Sequence, residues 1–172
     1  MVVVGSAMMG TYLGWRAYQT TILSFDNRVL ANQEFVRSSS DLPKPVKISI
    51  PKVNLELGVE ENTIIDGTWE ISETGASHLD NSANPGEEGN VVIYAHNKTN
   101  LFGPIRWLSL GETVLVTTED GQDHTYEIVE SVVVDPDRIE YVLPKDEETL
   151  TLYTCTNFFD KDRHIVVAKP VE

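Results

Sequence analysis

Hydrophobic and polar positions fall into three regimes along the chain. Residues 1–15 (MVVVGSAMMGTYLGW) form one uncharged, mostly apolar run that ends at Arg16. Residues 18–37 mix polar and apolar positions in a way that fits a helix, and 38–45 (SSSDLPKP) has the Ser and Pro content of chain outside regular elements. From residue 46 onward, short runs rich in Val, Ile, Thr and Tyr are separated by turn residues. The pattern predicts strands at 46–50, 53–57, 90–95, 112–118, 124–130, 132–135, 150–154 and 164–168. The run NVVIYA at 90–95 is almost continuously apolar, as a strand covered on both faces requires. Asp120-Gly121 between two of these runs is a hairpin signal. A helical turn fits 101–110, because Pro104 suits a first turn. Many short strands spaced by turns predict an all-β sandwich or barrel with short helices, preceded by a helical stem.

Composition narrows the partners. The chain has 172 residues, which fits one domain. Lys plus Arg is 13 and Asp plus Glu is 27, a net charge of −14. Phosphate contacts need clustered Lys and Arg, so this balance argues against nucleic-acid binding and against a surface that docks on anionic lipid. The single cysteine, Cys155, excludes an internal disulfide framework and any multi-cysteine metal site.

As a helix, residues 1–15 would reach about 22 Å, short of a hydrocarbon core of about 30 Å. No basic residue precedes the run and no A-x-A-like cleavage step follows it, which does not match a cleaved signal peptide. Three readings stand: the outer end of a membrane anchor, an interfacial helix, or an apolar helix packed on the domain. The anchor is preferred. The expected division is an anchor remnant or helical stem at 1–37, a linker at 38–45 and a folded domain at 46–172.

Candidate chemistry lies at strand ends. Cys155 closes the run TLYTC, Arg163 opens the next run, and His96 ends the buried run VVIYAH. A free thiol has a pKa of about 8.5, so few molecules are thiolate at neutral pH. An imidazole can take the thiol proton and later protonate a leaving amine, and a guanidinium can hold carbonyl oxygens or a developing oxyanion. Together they imply acyl transfer through a thioester.

The string Thr-Leu-Tyr-Thr-Cys at 151–155, an Arg at 163 and an upstream Ala-His-Asn at 95–97 resemble the sortases, cysteine transpeptidases of Gram-positive-type cell surfaces. The resemblance runs from about residue 46 to 167 and includes NPGEEGN at 84–90 and LSLGET at 108–113. It implies a closed, mostly antiparallel, eight-stranded β-barrel. Cys155 corresponds to the nucleophile, His96 to the general acid/base, and Arg163 to the residue that positions substrate and stabilises the oxyanion. Thr154 and Asn97 are candidate substrate contacts. No cofactor and no metal is implied. The implied reaction cleaves an LPxTG-like sorting motif of a surface protein between Thr and Gly. It then passes the acyl group to an amine of a cell-wall (peptidoglycan) precursor or a pilin lysine. The implied place is the cell membrane, anchored through the N-terminus with the catalytic domain outside.

Plainer roles exist for each residue. Cys155 and His96 can be core residues, and Arg163 can be an edge charge. Strand alternation sends His164 to the face opposite Arg163, where it is expected at the surface. His78 and His124 are expected to be solvated, while Trp69 and Trp107 suit core or rim. Glu60, Glu61 and Asp66 could hold Ca²⁺, but without EF-hand spacing they read as a solvated acidic face. Two further functions stay open: a cysteine endopeptidase with water as acceptor, and an anchored β-barrel binding module without catalysis.

Overall fold

The computed structural model describes residues 24–25, 42–65, 68–157 and 161–171. The apolar run at 1–15, most of the stem and linker, Asp66 and residues 158–160 of the Cys155–Arg163 loop lie outside the described residues.

Among the described residues ten strands form: β1 (Pro45–Ile50), β2 (Leu55–Asn62), β3 (Ile64–Ile65), β4 (Thr68–Trp69), β5 (Ala76–Leu79), β6 (Asn90–Tyr94), β7 (Thr113–Thr118), β8 (Asp123–Val134), β9 (Thr149–Thr156) and β10 (Asp162–Pro170). Eight of them close a barrel in the order β1-β2-β5-β6-β9-β10-β8-β7, with β7 returning to β1. Neighbours are antiparallel except for β2–β5 and β6–β9, which are parallel. β3 and β4 make a separate two-stranded ribbon. Closure leaves no unpaired edge in the barrel.

Side-chain alternation explains which residues go where. In β2 and β7, buried and open positions alternate, so one face fills the barrel and the other meets solvent. β6 is buried throughout. Its Val91 and Ile93 join Ile48, Leu57, Leu150, Leu152 and Val166 inside the barrel. Its Val92 and Tyr94 join Trp69, Tyr153, Cys155 and Ile165 in a second cluster on the outer face. Covering both faces requires a run with no polar face, which is the pattern at 90–95. Full burial of each such side chain contributes about 1.5–3 kcal/mol.

The expected eight-stranded closed barrel is present, but its membership differs from the sequence pattern. The runs at 124–130 and 132–135 are one long strand, β8, while the barrel strand β5 (ASHL) falls where no strand was predicted. β5 is short and carries polar Ser77 and His78, so it lacks the apolar signature. Residues 51–53 form a 3₁₀ turn rather than the start of a strand, because Pro51 follows β1 directly and Asn54 takes a left-handed conformation (φ 49°). The turn at 101–110 is a 3₁₀ helix at Gly103–Trp107 with Pro104 in its first turn. The β7–β8 hairpin turns at Asp120-Gly121, with Gly121 at φ 81°.

Two histidine expectations are corrected. His78 is a buried β5 residue whose Nε2 lies 3.0 Å from Ala83 O. His164 does face away from Arg163, but that face is the barrel side. It is buried there, with Nε2 3.2 Å from Ser131 Oγ. In a closed barrel the inner face of a strand is core, so alternation alone cannot make it surface. Trp69 is core, whereas Trp107 is exposed and stacks under Arg106.

Candidate active site

Three neighbouring strands deliver the chemical groups. β9 and β10 pair so that Cys155 and Arg163 are direct partners, with Tyr153 opposite Ile165 one step along the same face. β6 runs parallel to β9 with Tyr94 beside Tyr153. Those two rings stack at 5.1 Å and 14°. The ladder continues past the end of β6, because Ala95 N–H donates to Tyr153 O (3.3 Å) and Thr154 Oγ1 donates to Ala95 O (2.7 Å). His96 is therefore two residues beyond Tyr94, at the level where Cys155 is two residues beyond Tyr153. Cys155 and Arg163 thus sit side by side on neighbouring strands, and His96 follows the last rung between β9 and the chain after β6.

The loop after β6 holds His96 in place. His96 O accepts from Lys98 N–H (2.8 Å) and Phe102 N–H (3.1 Å), and Gly103 N–H donates to Lys98 O (3.0 Å). A Cβ at Gly103 would lie 2.6 Å from that carbonyl, so the loop folds on itself only with glycine there. Asn97 accepts through Oδ1 from Arg106 in the same loop. Thr154 alternates away from Cys155 and its hydroxyl joins β9 to the chain after β6.

Cys155 is 4% exposed, His96 6% and Arg163 2%. The guanidinium is held by carbonyl oxygens, donating from NH1 to Asp162 O (3.1 Å) and from NH2 to Ser24 O (2.6 Å). Ser24 belongs to the N-terminal region. Its Oγ accepts from Trp69 N–H (3.2 Å), and the next residue, Phe25, lies 5.9 Å from the guanidinium carbon. Phe25 packs edge-on to Tyr153 (5.0 Å, 74°) and tilted to Trp69 (5.8 Å). Nothing in the sequence pattern of 18–37 distinguishes Ser24 or Phe25, because their partners are distant in the chain.

On the outer face, Tyr94, Tyr153, Ile165, Val134, Ile139 and Val142 share a buried apolar cluster with Cys155, the apolar floor of this sheet face. Burial raises the phenol pKa values of Tyr153 and Tyr94, which keeps both neutral in the working range. The arrangement offers a thiol, an imidazole, a carbonyl-binding cation and an apolar floor. The family profile for the sortase domain matches residues 48–171. The chain belongs to the sortase family.

Sortases are cysteine transpeptidases. This sortase is 34% identical to sortase D of Bacillus subtilis (strain 168) over 112 residues, 64% of this chain and 54% of that protein. The match therefore spans about half the length of that relative. Among solved structures, sortase D5 transpeptidase of Clostridium perfringens aligns with a TM-score of 0.65 at 27% identity, covering 91% of this chain and 99% of that one. Sortase C of Clostridium perfringens SM101 gives 0.62 at 26% identity over 73% and 68%. Sortase A of Corynebacterium diphtheriae gives 0.65 at 24% identity over 91% and 80%, a likeness of fold.

Among the described residues, no helix is long and apolar enough to cross a membrane, and no three His, Cys, Asp or Glu side chains converge as a metal site. Glu61 pairs with Lys44.

Proposed function

We propose that this sortase cleaves an LPxTG-like sorting motif between Thr and Gly, with Cys155 as nucleophile, His96 as acid/base and Arg163 as the carbonyl and oxyanion clamp. The observation that supports this most is the cross-strand pairing of Cys155 with Arg163, one strand from the residue that follows Ala95. The thiol proton passes to His96 as sulfur attacks the Thr carbonyl carbon. Arg163 steadies the oxyanion, and His96 returns the proton to the departing Gly amine. An incoming amine then attacks the thioester, loses its proton to His96 and leaves the thiol free. Arg163 already binds two main-chain carbonyls, the kind of group a peptide would present. The apolar floor suits the Leu and Pro of such a motif. Thr154 and Asn97 act by holding β9 and the His96 loop rather than by touching peptide, in keeping with their bonds to Ala95 and Arg106.

The acceptor is a cell-wall precursor amine or a pilin lysine. The proposed setting is the outer face of the cell membrane, with residues 1–37 as anchor remnant or stem, 38–45 as linker and 46–172 as catalytic domain. Incubation with a sorting-peptide library followed by intact-mass measurement tests the chemistry. The expected result is an acyl adduct on Cys155 that disappears with added amine. Unchanged turnover of a fluorogenic sorting peptide by Cys155→Ala would overturn it. Equal hydrolysis with and without amine would favour the endopeptidase reading, and peptide binding that survives loss of both His96 and Arg163 would favour a binding module.

A further inference from the structure

One carboxylate from outside the Cys155–His96–Arg163 set faces the imidazole. Glu73 lies in the loop 70–75 between β4 and β5, and its Oε2 stands 3.9 Å from His96 Nε2 and 3.4 Å from Lys98 Nζ. The loop is built to hold that position. Ser72 N–H donates to Ser77 Oγ (2.8 Å) and Gly75 N–H donates to Ser72 Oγ (3.1 Å). The backbone at Gly75 packs so closely on β2 that a Cβ would lie 2.6 Å from Gly58 O. The His96 backbone is fixed as well, through its two accepted N–H groups. Two anchored loops thus bring a carboxylate and an imidazole face to face.

We propose that Glu73 is a positioning residue for the transfer reaction: its carboxylate keeps the N–H on His96 Nε2 and favours the imidazolium, so Nδ1 is the nitrogen that exchanges protons with the thiol and the leaving amine. The proposal rests on the Cys155–His96 reading above. Glu73 itself takes no proton. At 3.9 Å the link is Coulombic rather than a hydrogen bond, and the imidazole end is buried while the Glu73 side chain is 48% exposed. Solvent screening therefore leaves an effect of several-fold rather than of many decades. Among the described residues, Lys98 of the same loop shares the Glu73 carboxylate, and Cys155 and Arg163 of β9 and β10 complete the site as proposed above. Lys98 and Arg163 both disfavour an imidazolium, and Glu73 opposes them. Lys98 also shares the Glu73 oxygen and weakens its pull. The gain is in the share of thiolate paired with imidazolium. Where the thiol holds its proton more tightly than the imidazole, each unit of added imidazole basicity raises that share about tenfold.

The test uses Glu73→Gln in the whole chain, compared with Glu73→Asp and Lys98→Met, with Tm checking the fold. The readouts are the NMR titration of the His96 ring and the pH profile of peptide cleavage. Glu73→Gln is expected to lower the His96 midpoint by about half to one unit and neutral-pH kcat/KM by about three- to tenfold, both differences shrinking in high salt. Glu73→Asp is expected to recover part of the loss, and Lys98→Met to move the midpoint upward. An unmoved His96 midpoint in Glu73→Gln overturns the proposal, whatever happens to turnover. Full activity in His96→Ala would instead overturn the underlying acid/base reading, so the two failures are distinct.

Discussion

Cys155 and Arg163 are direct cross-strand partners in the β9–β10 ladder, so the thiol and guanidinium leave the same face of one sheet. Arg163 donates from two different nitrogens to two carbonyls. Lysine carries its charge on one compact ammonium and cannot reproduce that fork. Arg163→Lys is therefore expected to lower kcat for a sorting peptide by about 10²–10³-fold, the usual cost of losing an oxyanion donor, with far-UV CD unchanged. Turnover within threefold of the parent would remove Arg163 from the chemistry.

Phe25 shares a buried cluster with Cys155. Its ring is buried in the outer-face cluster that contains Cys155, and it packs against Tyr153 two residues away. Phe25→Ala is expected to speed iodoacetamide modification of Cys155 at fixed pH by at least about threefold, since a cysteine only 4% exposed has access to gain. The check is a mass time course; equal rates would show that Phe25 does not limit access.

Asn90 fastens the segment at Tyr141 and Leu143 to the barrel. Its side-chain amide donates to Tyr141 O and Leu143 O (both 2.9 Å), and its oxygen accepts from Thr151 Oγ1 (2.7 Å). The bond to Thr151 is buried and the other two are part-buried. Asn90→Ala is expected to cost about 2–3 kcal/mol in chemical denaturation. It should also raise KM, because the freed segment carries Ile139 and Val142 of the apolar floor.

Acid is expected to destabilise the fold through two buried histidines. Burial holds the folded-state pKa of His78 below 6.5, with Lys44 adding to the effect and Ala83 O, Glu61 and Asp80 opposing it. Burial, helped by Arg106, does the same for His164. The unfolded chain, titrating near 6.5, then takes protons first. The corresponding stability is present above that value and is lost as pH falls through it toward the lower folded-state values. Tm is expected to be level above about pH 7.5 and to fall between 6.5 and 5.5, with a smaller slope in His78→Gln. A Tm that rose over that range would contradict the burial argument.

Local periods and the chemical alphabet are written in the order of residues. Alternation in β2 and β7, the continuous apolar run of β6, the Asp120-Gly121 turn and the Pro104 turn are all local features. Backbone geometry and side-chain polarity express them within a few residues. The TLYTC run, the Ala-His-Asn step and Arg163 were legible as a family pattern for the same reason. Closure of the barrel decided the rest. It made the inner face of β10 a core, which buried His164, and it drew the polar β5 between β2 and β6 by pairing rather than by hydrophobic pattern. It brought Ser24 and Phe25 against Arg163 and Tyr153, and it set Glu73 opposite His96. Those contacts join residues far apart in the chain, and their energy exists only once the intervening strands have paired.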